Sequence, residues 1–492
     1  ATTEKIPRDR AMDNCASCHS RREELTGTFR PGDAYHDHYR LSLADGPGLY
    51  YPDGQIRDEV FEYGSFQLSR MGHKGIHCLD CHNPHSGELL LPVENNALCM
   101  SCHAPPGRLG AKPIPDIAAH THHAPASKGS RCIECHMSET AYMQRDPRRD
   151  HSFSIPDPLL TKELGIPNAC NKCHTDQDVN WAIKWTDTWY GDKMDRPARQ
   201  RARAIARAGN YDPAVVPELL RLLDAEEIDA WKASLIGFLS PWAAETEVRT
   251  KLTPHLTHSN ALVRSATTRV LAPVPEARRD ITPLRDDSTR LVRLDATWAT
   301  WDPYDRTSKQ RKEFEAYLNT ISDQPAGALR KAQAALADGH GAEAEKWARK
   351  TVAWDPAAYS HEMLARILHV NGKLPDAIES MRTASRLAPQ NVDIAYSIAL
   401  LLGEAKQPAE ATKQLEAVVK LDRTFARAWY NLGLAYAGEE RDEEAVKALL
   451  AAQELLPQSA DPMYAVATIF LGNNDREQAQ RAAESALMID RN

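Results

Sequence analysis

Apolar and polar positions change rhythm twice along this chain of 492 residues. From about residue 325 onward, apolar residues recur three and four apart in blocks, and the blocks themselves repeat. Ala344, Ala377, Ala411, Ala445 and Ala479 follow one another at steps of 33, 34, 34 and 34, and Pro356, Pro389, Arg423, Pro457 and Arg491 keep the same beat at the block boundaries. The short spacing is that of an amphipathic helix, and the long one is that of stacked helix pairs, so residues 321–492 are expected to form an α-solenoid. Between 197 and 303 a second repeat runs. "LTPHLTHSNALVRSATTRVL" superimposes on "ITPLRDDSTRLVRLDATWAT" at a shift of 29, with Pro254 on Pro283, Val263 on Val292 and Arg264 on Arg293, and a looser copy precedes them. Residues 191–320 are therefore expected to be paired helices as well. Residues 1–190 have few periodic apolar runs and are broken by stretches such as "ADGPGLYYPDGQ" and "APPGRLGAKPIPD", which predicts coil with short helices. The fold class expected is mainly α, a coil-rich first domain followed by a solenoid.

All ten cysteines lie in that first stretch, in five copies of one pattern. The copies are Cys15-x-x-Cys18-His19, Cys78-x-x-Cys81-His82, Cys99-x-x-Cys102-His103, Cys132-x-x-Cys135-His136 and Cys170-x-x-Cys173-His174. Structural zinc uses cysteine pairs without a histidine directly behind them, and five pairs would leave an odd half-site. Disulfide staples do not explain the histidines. Covalent haem explains both: the two thiols bond the porphyrin edge, and the next residue must be an imidazole to ligate the iron. Five covalently bound haem c groups are expected, and with so little apolar sequence around them the porphyrins are expected to form the core of this segment.

The sixth position on each iron decides its job. Nine histidines before residue 175 lie outside the motifs: His36, His38, His73, His77, His85, His120, His122, His123 and His151. They fall into five local groups, which favours two histidines per iron. Within the groups the ranking puts His38 before His36, His73 before His77 with Met71 as an alternative, His85 in "CHNPHSG", His123 before His120 and His122, and His151 in "RRDHSF". His255, His258, His340, His361 and His369 read as ordinary residues of the repeats. Arg148 and Arg149 are read as partners for haem propionates or as an exposed charge cluster. Asp53-Gly54 reads first as a turn, with calcium ligation at Asp53 the second reading. In "DVNWAIKWTDTWYGD", Trp181 and Trp185 share a helical face, read as packing ahead of an electron relay.

A net charge of −8 and a pI near 6.2 exclude the basic footprint of a nucleic-acid binder. No run of about 18 apolar residues appears. The opening "ATTEKIPRDR" carries no basic-then-apolar signal. Since covalent haem is attached outside the cytoplasm, a mature chain whose leader has been removed, periplasmic or extracellular, is expected.

Three likenesses follow from these residues. The block "ARAWYNLGLAYAGEERDEEAVKALLAAQELLP" resembles the tetratricopeptide repeat in period, in its W-Y-N-L-G-L-A-Y first helix and in the small residue of its second. The pairs between 191 and 320 resemble HEAT repeats. The close succession of motifs, the histidines before Cys132 and the Cys135-His136-Met137 ending resemble the multihaem superfamily that includes pentahaem nitrite reductase and hydroxylamine oxidoreductase. That resemblance implies haems stacked in close pairs. One departure stands out: nitrite reductases carry lysine in the catalytic motif, and here all five motifs end in histidine. The leading expectation is an electron carrier whose helical repeats dock partner proteins or copies of itself. The alternatives are a reductase or oxidase of a small nitrogen or sulfur oxyanion at a five-coordinate haem, and a subunit of a cytochrome filament.

Overall fold

The computed structural model describes residues 8–142 and 145–490; the first seven residues of the opening segment and the boundary residue Arg491 lie outside them. The chain is mainly α. Among the described residues there are 28 α-helices and two small antiparallel pairs of strands, Arg22–Glu24 with Tyr39–Leu41 and Glu139–Tyr142 with Asp146–Arg149. Among the described residues no helix is long and apolar enough to cross a membrane. Two compact units divide the chain, Ala1–Thr320 and Ile321–Asn492.

The second unit follows from its small residues. Five helix pairs run from Pro325–Ala337 with Gly341–Trp354 to Asp461–Gly472 with Arg476–Asp490. Ala344, Ala377, Ala411, Ala445 and Ala479 are all buried on the second helix of each pair, where a methyl group lets the first helix come close. Gly433 takes this furthest: a Cβ there would meet Leu449 Cγ at 2.6 Å. Each second helix then packs on the first helix of the next pair, so the apolar core is continuous, as the repeat period requires.

In the first unit, the repeat of 29 residues has a specific cause. Val263 and Val292 are buried on the helices Ala261–Leu271 and Arg290–Ala299. The arginine that follows each valine reaches back and forward. Arg264 donates to the carbonyls of His258 and Ser259 and grips Asp287, and Arg293 donates to those of Asp287 and Ser288 and grips Glu313. Each guanidinium thus caps the turn before its own helix and ties it to the next repeat.

These helices also carry part of the cysteine-rich segment. Trp231, 1% exposed, donates its indole N–H to the Leu68 carbonyl and lies under Gly54. Gly54 has φ +95, and a Cβ there would meet the indole at 2.5 Å, so no other residue suits the turn. Arg40 forks onto Asp295 at 2.7 and 2.9 Å, and Ser265 donates to the same carboxylate. Burial acts against the Asp295 charge, yet the Arg40 guanidinium holds its carboxyl below the usual range.

One expectation is corrected in part. Residues 16–68 do build a side-chain core, with Leu25, Tyr35, Leu41, Tyr50, Val60 and Phe66 buried, because the helices of the following repeats supply its other wall. Between Leu68 and Leu160, however, Ile133 and Pro158 are the buried apolar side chains among the described residues.

Candidate functional site

Each cysteine-histidine motif begins in a short helical element, Arg8–Ala16, the 3-10 turn Cys78–Asp80, Ala97–His103, Cys132–His136 or Ala169–Cys173, and where the element stops short the motif's last turn is closed by the N–H of His19, His82 or His174 on the carbonyl of its first cysteine. A helical turn places residues three apart on one side, which brings the two thiols of a motif together. Local polar groups start the turns. Asn168 accepts from the Asn171 N–H ahead of the last motif. Asn96, in the left-handed conformation with φ 63, accepts from the N–H of Cys132 at 2.8 Å and donates to the carbonyl of Ser130 at 2.9 Å. No two of the ten cysteines are joined in a disulfide. Among the described residues no three His, Cys, Asp or Glu side chains converge as a metal-holding group, whereas zinc needs four ligands.

The histidine rings show whether haem fits. With a metal–imidazole bond of about 2.0–2.1 Å on each side plus the radius of each ring, two histidines on opposite faces of one metal have ring centres roughly 6.3 Å apart. Three motif histidines face a non-motif histidine at that distance. His82 and His151 are 6.4 Å apart, His136 and His120 are 6.2 Å apart, and His174 and His123 are 6.1 Å apart. A fourth pair at such spacing, His255 and His258 at 6.1 Å, is a contact between neighbours on one 3-10 turn, and neither belongs to a motif.

Protonation agrees with this. Nδ1 lies 2.9 Å from the Lys112 carbonyl in His103, 2.9 Å from the Ser154 carbonyl in His136, 2.6 Å from the Thr121 carbonyl in His123 and 3.0 Å from the Arg149 carbonyl in His151. A carbonyl can only accept, so the proton is on Nδ1 and the neutral ring keeps its lone pair on Nε2. Burial pushes the pKa of His136, His151 and His120 down, which keeps these rings neutral. His19 differs: its Nδ1 faces a carboxylate, Glu62 Oε2, at 3.1 Å. The residues present therefore fit a haem held by paired histidines.

The remaining candidates sit elsewhere. His38 is buried with Nε2 3.3 Å from Asp33, His73 and His85 are exposed, and none of the three forms such a ring pair among the described residues. His36 is half-buried, with its Nδ1 atom turned inward, and desolvation lowers its pKa to about 4. The ranking of His123 over His120 and His122 treats as one group what the structure separates. His120 lies in the last turn of the helix Ile117–Thr121, His122 turns left-handed with φ 56, and His123 therefore leaves in another direction, so that His120 and His123 face different motifs. His122 stacks on Trp189 at 4.3 Å, and Trp181 lies 4.7 Å from His174. The tryptophan face thus packs on the histidine-bearing turns, and Trp189, which sequence reasoning passed over, is part of it. Arg148 and Arg149 have protein partners: Arg148 pairs with Glu59 and Asp146, and Arg149 with Glu134 and the carbonyls of Ile133 and Met137. Arg149 thereby pins the fourth motif. Asp53 accepts from the backbone and side chain of Gln55, the turn role expected of it.

Comparison with known families gives two matches. Residues 72–107 match the doubled CXXCH motif, which spans the second and third copies and indicates covalent haem c. Residues 326–392 and 396–460 match the tetratricopeptide repeat, so the chain carries those repeats, modules of protein interaction. Among solved structures, MamA is 20% identical over 32% of this chain and 94% of its own, with a TM-score of 0.31. MamA of Desulfovibrio magneticus RS-1 is 24% identical over 34% and 96%, with a TM-score of 0.32. YrrB, described as a TPR protein with an unusual peptide-binding site, is 22% identical over 35% and 90%, also at 0.32. No curated protein matches the chain.

Proposed function

We propose that this chain is an exported multihaem c-type cytochrome, periplasmic or extracellular, that carries electrons through five haems, with helical repeats that dock its partner proteins or further copies of itself. The observation that carries the reading is the set of three facing histidine pairs, each joining a motif to a histidine 16 to 69 positions away at the spacing of a shared metal. In this reading Cys15, Cys18, Cys78, Cys81, Cys99, Cys102, Cys132, Cys135, Cys170 and Cys173 hold the porphyrins. His19, His82, His103, His136 and His174 ligate from one face, and His151, His120 and His123 from the other at the second, fourth and fifth motifs. Haem supplies a reversible one-electron ferric/ferrous couple when bound. The chain's residues fix the tautomers of His103, His123, His136 and His151 through the carbonyls on Nδ1, and close the last two sites with Trp181 and Trp189. The 29-residue pairs, read as HEAT-like, hold the start of the cysteine-rich segment through Arg40 and Trp231. The likeness of the motif run to the nitrite reductase and hydroxylamine oxidoreductase superfamily belongs to the same reading.

Intact-mass measurement of the exported protein tests it, with five haem additions expected. Replacing His151 by alanine should convert one haem from low-spin to high-spin in the electron paramagnetic resonance spectrum and leave the others unchanged. A mass without haem, or a spectrum indifferent to His151, would overturn the proposal.

A further inference from the structure

Resting on that reading, we infer that the five attachment sites form one unbranched row in the order of the chain, and that its two ends, at Cys18 and Cys173, are the surfaces an external redox protein can approach. The contacts between motifs carry this. The helix Arg8–Ala16, which carries Cys15, packs on the turn Cys78–Asp80, which carries Cys78. The second and third motifs lie together within the doubled motif at 72–107. The third and fourth are joined through Asn96, which opens the third motif's helix and holds both Ser130 and Cys132. The fourth and fifth are joined by packing of Cys132–His136 on Ala169–Cys173. They are joined a second time by His120 and His123, which lie three positions apart and face His136 and His174. Every one of these links runs between consecutive motifs.

Exposure then distinguishes the ends from the middle. Of the ten cysteines, Cys18 and Cys173 are exposed and the other eight are half-buried, so the exposed thiols belong to the first and last motifs. The last end also opens on a cleft of about 550 Å³ lined by Thr161, Asn168, Asn171, Lys172 and Thr175. Asn171 and Lys172 are the two residues between the thiols of that motif.

A crystal structure of the haem-loaded chain, phased on the anomalous scattering of its own irons, tests this. Each iron is expected to have as nearest neighbours only the irons of the preceding and following motifs, and the porphyrin edges at Cys18 and Cys173 are expected to be the most exposed. A branch, a nearest neighbour that skips a motif, or a middle edge more exposed than both ends would overturn the inference. The iron count in the same crystal keeps this result apart from the proposed function: fewer than five irons would tell against five haems, and five irons in another order would tell only against the row.

Discussion

The stretch from Leu68 to Leu160 and the unit Ile321–Asn492 are both built from short helices, yet they are held by different means. In the second unit every helix pair buries alanines, leucines or valines against its neighbour. Between the ends of the first stretch only Ile133 and Pro158 are buried among the described apolar residues, and the order comes from Nδ1–carbonyl hydrogen bonds, the Asn96 bracket and the Arg149 clamp. The comparison teaches that a helix-rich segment without an apolar core needs something else to fill the space between its turns. Ten thiols and facing imidazoles say what that is.

The sharpest way to break the comparison is to prevent haem attachment. In a chain whose ten motif cysteines are all alanine, residues 69–157 should lose their protection against limited proteolysis altogether, while residues 321–492 keep theirs; equal survival of the two would remove the contrast. Next come the anchors of the first unit. Asp295→Ala leaves the Arg40 guanidinium with Glu23 as its remaining carboxylate and should cost about 3 kcal/mol, and Trp231→Ala should cost ~3–5 kcal/mol, both read by denaturant unfolding. In the second unit, Gly433→Val forces the Leu449 contact apart and should cost about 1–3 kcal/mol, with no change in any haem potential.

Smaller effects sharpen the account of single sites. The carboxylate on His19 makes that imidazole a stronger donor than those bonded to carbonyls, and a stronger donor favours the ferric state. Glu62→Gln should raise one midpoint in a spectroelectrochemical titration by about 59 mV, a tenfold change for one electron, and leave the rest in place. Smallest is a pH effect. Burial raises the Asp53 carboxyl to about 6, above its value in the unfolded chain. The unfolded chain therefore releases this proton first as pH rises from about 4 to 6, and the folded state loses stability across that window. Asp53→Asn should flatten that slope in melts taken at successive pH values.

The helical repeats were legible because their period is written in small residues: Ala344 and its successors are the close contacts themselves. The alignment of Arg264 with Arg293 pointed to a repeat, but not to its cause, since the carbonyls and carboxylates that receive them lie in loops without a pattern. At the haem segment the motif residues were legible from spacing. Of the facing histidines, His123 and His151 were legible and His120 was not, because the sequence order of His120, His122 and His123 hides a reversal of backbone direction between them. The charge of Arg148 and Arg149 was visible, but their partners Glu59 and Glu134, 89 and 15 positions away, carry no pattern that ties them to these arginines.

The left-handed turn at His122 has a consequence of its own. With φ at 56, this position accepts glycine or asparagine readily and resists valine, isoleucine or threonine, so what natural variation must preserve there is a backbone bend, whatever side chain provides it. Straighten the bend, and His120 and His123 can no longer face His136 and His174 at once.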